Sequence, residues 1–215
     1  MRVRTKLGLS LCAGVVLAAV NLAFPQEKQS GTEPKPQGGQ EMDQMMEQWM
    51  KMNQPGEHHK HLAPLVGTWT TVVKMRYTPD APWQESTGTL LRESIWGGRY
   101  VTEEYKETRE TPGGPADHPP FEGMGVIGYD TMKKQYVGGW IDNMSTGLMT
   151  STGTCDPTAK TFTFIGEYLD PMTGKPKQSK HVIKITSKDQ HVMEMYEVGP
   201  DGKEFVSFEM TCTRK

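Results

Sequence analysis

Cysteine is scarce in this chain. Three of 215 residues are Cys, too few for a disulfide framework. Cys12 lies inside an apolar N-terminal run, not after it, which excludes the arrangement of a lipidated bacterial leader. Cys155 and Cys212 fall on segments expected to be strands that are not neighbours, so geometry is the obstacle to a bridge that an oxidising compartment would permit: their Cα atoms would have to approach within about 7 Å. Positive charge is not in excess either. The formal net charge is −2, and no basic stripe is available to neutralise phosphates, which disfavours nucleic-acid binding. Beyond the N-terminus no apolar run approaches the roughly 20 residues of a membrane-spanning helix. The Ser–His–Asp order, the nucleophile elbow and the phosphate-binding loop are also missing.

The N-terminus has its own composition. "MRVRTK" is basic, "LGLSLCAGVVLAAVNLA" is apolar and uncharged, and "FPQEKQSGTEPKPQGGQ" is abruptly polar. The pattern predicts a secretory signal peptide over residues 1–23, cleaved near Ala23, and an exported protein of the periplasm or medium. Removing Arg2, Arg4 and Lys6 with it takes the net charge from −2 to −5. Residues 24–40 are rich in Pro, Gly, Gln and Lys and are expected to form a disordered linker. In "EMDQMMEQWMKM", Met42, Met45, Met46, Trp49 and Met50 recur at helical spacing. This predicts a short amphipathic helix within residues 41–56, ended by Pro55-Gly56. Packing of that stripe on its own domain is the first expectation; a partner surface or a lid over a ligand is the other.

From Leu65 onward the period changes to two. Trp69, Thr71, Val73, Met75 and Tyr77 share one parity, and turn signals such as "WGG", "YDTMKK", "CDPTAK" and "GPDGK" recur every dozen or so residues. About ten short strands with tight connections follow, and no later segment holds a helical period. The expectation for 57–215 is an all-β, up-and-down antiparallel barrel, in which closure removes the exposed edges of a long meander. Asp130, Asp142, Asp156, Asp170 and Asp201 stand at strand ends beside Gly, Pro, Asn or Thr. Such positions suit carboxylates that cap backbone N–H groups in turns better than acid–base catalysts.

Gly67-Thr68-Trp69 opens the first strand and Arg214 ends the last. This resembles the lipocalins and related calycin barrels, where a Gly-x-Trp on strand one meets a basic residue from the final strand. The resemblance implies that Gly67, Trp69 and Arg214 close one end of the barrel, with the guanidinium stacked on the indole. Over residues 57–215 the chain resembles the domain of unknown function 1579 family more closely still. The shared stretches include "EHHKHLAPLVGTWT", "GGRYVTEEY", "PFEGMGVIGYD", "KKQYVGGWIDNMSTGLM", "GEYLDPMTGK" and "EMYEVGPDGKEF". The insert "TRETPGGPADHPP" is longer than that pattern, and Cys212 replaces an aromatic. The resemblance implies a fold and no activity.

Charged residues that share parity with apolar ones are the candidate site. A packed core does not bury lone charges, whereas a barrel with a wet cavity can use them to orient a ligand. The candidate lining residues are Arg99, Glu103, Tyr105, Trp140, Asp142 and Tyr196, with His191 as a further member. Outward placement of these faces stays open, since one bulge flips the register. The first functional expectation is non-covalent binding of a small, partly apolar molecule, with no cofactor predicted. Haem is the alternative use of the same pocket: His191, heading "HVMEMY", would be the proximal imidazole, with His181 the other strand histidine. Enzymatic use of that pocket is a related alternative, and an envelope interaction protein acting through the Met-rich helix is a third. His58, His59 and His61 are weak metal candidates, because no Cys or carboxylate other than Glu57 has ligand spacing beside them. Oligomeric state is not legible.

Overall fold

A computed structural model describes residues 37–108, 119–170 and 173–215. The leader, the linker as far as residue 36, His118 with most of its insert, and Met172 lie outside these residues. The chain divides after Met42 into two units, and the second, Asp43–Lys215, holds every strand found among the described residues.

The helix α1 runs from Gln37 to Met52. It starts before the expected boundary, so residues 37–40 are helical and do not belong to the linker. Its end is fixed by Asn53, whose N–H and side-chain amide both reach Trp49 O, at 3.1 and 2.8 Å. The expectation that its stripe packs on the domain is corrected: Met45, Met46, Trp49 and Met50 are 65, 54, 59 and 52% exposed.

A short helix α2 (Glu57–Lys60) and a 3-10 turn (Ala63–Leu65) lead into ten strands. These are β1 (Gly67–Met75), β2 (Gln84–Ile95), β3 (Tyr100–Thr108), β4 (Glu122–Asp130), β5 (Gln135–Asp142), β6 (Met149–Cys155), β7 (Thr161–Leu169), β8 (Pro176–Ser187), β9 (Gln190–Val198) and β10 (Glu204–Arg214). Each pairs antiparallel with its sequence neighbours, and β1 pairs with β10, so the sheet is a closed up-and-down barrel. Cys155 on β6 and Cys212 on β10 are both free thiols.

Alternation along each strand gives the barrel its two faces. Trp69, Thr71 and Val73 of β1 point inward and are buried, while Thr70 and Val72 between them are exposed. One end is plugged. Leu62 and Leu65 from the lead-in segment join Val101, Ile127, Tyr136, Phe162 and Ile183 in a single buried cluster. The aspartates at the strand ends work as turn caps: Asp130 Oδ1 accepts N–H bonds from Met132 and Lys133, and Asp156 Oδ1 from Lys160 and Thr161. No helix among the described residues is long and apolar enough to cross a membrane.

Candidate functional site

The plugged end is assembled from aromatic rings and main-chain carbonyls. Arg214 pairs with Trp69 across β1 and β10, and its guanidinium carbon sits 4.1 Å from the centre of the indole. The guanidinium also donates to Val66 O at 2.9 Å, Pro64 O at 3.1 Å and Lys188 O at 3.1 Å. Trp69 Nε1 donates to Leu65 O at 2.9 Å. Gly67 has φ of 139°, and a Cβ there would run into the Arg214 guanidinium. Glycine is thus required twice, for its backbone and for the space.

The three histidines hold this plug and do not converge. His59 Nδ1 accepts the Gly56 N–H at 3.0 Å, His61 Nδ1 meets the Tyr136 hydroxyl at 2.9 Å, and His58 stacks on Tyr129 at 4.3 Å. The Tyr136 hydroxyl donates to His58 O at 3.1 Å. Burial pushes the His59 pKa down, against an opposing bond from the Tyr129 backbone.

Above the plug lies a layer of buried polar groups. Arg92 Nε donates to Glu103 Oε1 at 2.6 Å and Nη2 lies 2.5 Å from the same oxygen. Arg92 Nη1 lies 2.5 Å from His191 Nε2. A guanidinium has no acceptor, so His191 Nε2 must accept and the imidazole proton sits on Nδ1. Nδ1 is buried and has no hydrogen-bond partner among the described residues. Burial first, and then the charges of Arg92 and Arg214, hold the His191 pKa down at about 3. The ring packs edge-on against Trp69 at 4.3 Å. Its Nε2 lone pair is occupied and its residue is 1% exposed, an arrangement that does not offer an axial ligand to haem.

In the other half a second buried cluster holds Val73, Leu90, Tyr105 and Met210, with Trp140, Met193 and Phe208 packed against it. Inward-facing His181, Met193, Met195, Phe208, Trp140 and Ser151 are only half-buried there. Cross-strand pairing places Gly138, Ser151, Gly166 and Ser179 in one row across β5, β6, β7 and β8 on the inner wall. The row is closely set, since a Cβ on Gly138 would lie 2.8 Å from Ser151 Oγ. The Trp140 indole lies flat over β4: a Cβ on Gly125 would be 2.9 Å from the ring and 2.8 Å from Glu103 Oε2. Trp140 Nε1 donates to Asp142 Oδ2 at 3.1 Å. Ser179 Oγ is 3.0 Å from His181 Nε2, and burial lowers the His181 pKa while Glu103 pulls it up. On the outside of the same wall, a concavity of about 300 Å³ spans Thr150, Thr152, Ile165 and Gln178, with Ser151 and Gly166 behind it.

Of the residues proposed from sequence, Glu103, Tyr105, Trp140, Asp142 and His191 face the interior. Tyr105 is buried, which raises the pKa of its hydroxyl. Two do not line it. Arg99 lies in the β2–β3 turn at the plugged end and donates to Trp96 O at 2.9 Å. Tyr196 is on the outer wall, where its hydroxyl donates to Glu194 and Lys180 covers its ring at 4.5 Å. His191 and Tyr196 differ by an odd number on one regular strand, so they cannot both point inward. Arg92, Ser179 and the small-residue row were missed. Arg92 was detectable, because it shares parity with Leu90 and stands opposite Glu103 in a hairpin whose tight "WGGR" turn fixes the register.

A family model described as "Protein of unknown function (DUF1579)" matches residues 54–214. Comparison with curated proteins gives no match. Among solved structures, Rv2717c from M. tuberculosis aligns with a TM-score of 0.52 and 12% identity, over 75% of this chain and 99% of that one. The S-type phycobiliprotein lyase CPES from Guillardia theta aligns with a TM-score of 0.46 and 9% identity, over 77% of this chain and 96% of that one. At such identities the likeness to Rv2717c concerns the barrel fold alone.

Proposed function

The chain belongs to the family described as Protein of unknown function (DUF1579), and we propose that it binds a small, partly apolar molecule non-covalently in the open half of its barrel. The observation that carries this reading is the contrast along the barrel axis. Most inward side chains around Trp69 and Tyr136 are buried, whereas Trp140, His181, Met193, Met195 and Phe208 stay half-buried over a base of buried Val73, Tyr105 and Met210, beside a wall of Gly138, Ser151, Gly166 and Ser179. Trp140, Phe208, Met193 and Met195 supply an apolar lining. Glu103 Oε2, Ser151, Ser179 and His181 supply a few polar groups to orient the guest, the mixture usual in ligand pockets. The Arg92–Glu103–His191 layer forms the floor. The basic and then apolar leader supports action outside the cytoplasm.

Native mass spectrometry of the gently purified protein tests this. An added mass that leaves on denaturation is expected for the wild type. It should be missing from Ser151→Phe, whose ring would project from β6 into that half of the interior. Equal added mass on both proteins would place the guest elsewhere.

A further inference from the structure

The apolar face of α1 is built from an unusual set of side chains. Between Gln37 and Met52 it holds methionine and one tryptophan, and no Leu, Ile, Val or Phe. Met46, Trp49 and Met50 stand at i, i+3 and i+4, so the three are neighbours on one face. They are 54, 59 and 52% exposed, so the barrel does not use them as core.

Packing surfaces draw mainly on Leu, Ile, Val and Phe, whose rotamers are well defined. A thioether adds what those residues lack, a soft and uncharged sulfur donor. Soft thioethers select Cu(I), whereas imidazole suits Zn and oxygen ligands suit Mg and Ca. They carry no proton to displace, unlike thiols or imidazolium. An indole face alongside attracts a cation further. The nearby histidines are committed to the plug through Gly56, Tyr129 and Tyr136.

We infer that Met46 and Met50 bind a soft monovalent metal ion, Cu(I) or its chemical analogue Ag(I), with the Trp49 ring beside it. The site is on an exposed helix face, which suits capture and hand-over of the ion more than catalysis. It stands independently of the barrel's ligand.

The test is an anaerobic titration of the full chain with Cu(I) in competition with bicinchoninate, repeated with Ag(I) under methionine-methyl NMR. One ion should be taken up, with shifts at the Met46 and Met50 methyls and quenching at Trp49. Changing supporting residues around a metal typically costs about tenfold or more in affinity, so losing direct ligands in Met46→Leu/Met50→Leu should cost at least that. Met45→Leu should leave affinity unchanged. Leucine keeps the helix propensity and the apolar face, so a docking role would survive the double change while metal binding would not. Unchanged affinity in the double variant, shifts confined to Met193, Met195 or Met210, or no uptake at all would overturn the assignment.

Discussion

Arg92 and Glu103 form an ion pair inside the barrel: two guanidinium nitrogens lie 2.6 and 2.5 Å from one carboxylate oxygen, and the two side chains are 2 and 11% exposed. Removing one partner strands the other charge, which typically costs about 3–5 kcal/mol, whereas replacing both can be nearly neutral. Arg92→Met and Glu103→Met should each lower stability strongly, and the double change by much less than their sum. Urea denaturation of the full cycle measures it; additive losses would mean the pair is not coupled.

His191 gives the barrel an acid weakness. Its folded pKa lies well below the unfolded value, at about 3, so the folded protein binds fewer protons than the unfolded chain across that window. Its stabilising effect is complete above the unfolded pKa of about 6.5 and is lost as pH falls toward 3. Over such a range the linkage is on the order of a few kcal/mol, with His59 adding in the same direction. His191→Gln should flatten the slope of stability against pH below 6.5. Imidazole ¹⁵N shifts should show the proton on Nδ1 at neutral pH.

Gly67→Ala places a Cβ against Arg214 at a backbone angle that alanine rarely adopts. A loss of about 1–3 kcal/mol is expected, read as a lower thermal midpoint. Arg214→Ala should cost a similar amount by uncovering Trp69 and leaving three carbonyls without their donor.

The two barrel cysteines should differ in reactivity. Cys212 is fully buried with its thiol pushed up to about 11, while Cys155 is half-buried, its thiol also raised by burial. In the native protein a maleimide should label Cys155 slowly and leave Cys212 untouched; under denaturing, non-reducing conditions both should label. Failure of both to label there would reveal a bridge.

Much of the fold was legible because each strand carries a period-two pattern and each turn its own residue chemistry. The closing roles of Gly67, Trp69 and Arg214 could be anticipated only from their resemblance to the calycin arrangement, not from the pattern itself. The interior was only partly legible. Parity says which residues share a face, yet not which face is inside, and Tyr196 was assigned to the wrong one despite lying an odd step from His191. Arg99 shares parity with Val101 but falls in the turn, where parity no longer specifies direction. The row Gly138, Ser151, Gly166 and Ser179 was invisible, because it exists only across strands and small residues carry no pattern of their own.

The most direct test of a guest in the open half reads the five tryptophans separately. Indole N–H resonances are assigned by substitution and followed during titration with 8-anilinonaphthalene-1-sulfonate, a small partly apolar probe. Trp140 should shift or broaden saturably, while Trp69, sealed under Arg214, stays still. Shifts restricted to Trp49 or Trp96, both exposed outside the barrel, with Trp140 silent, would contradict the account.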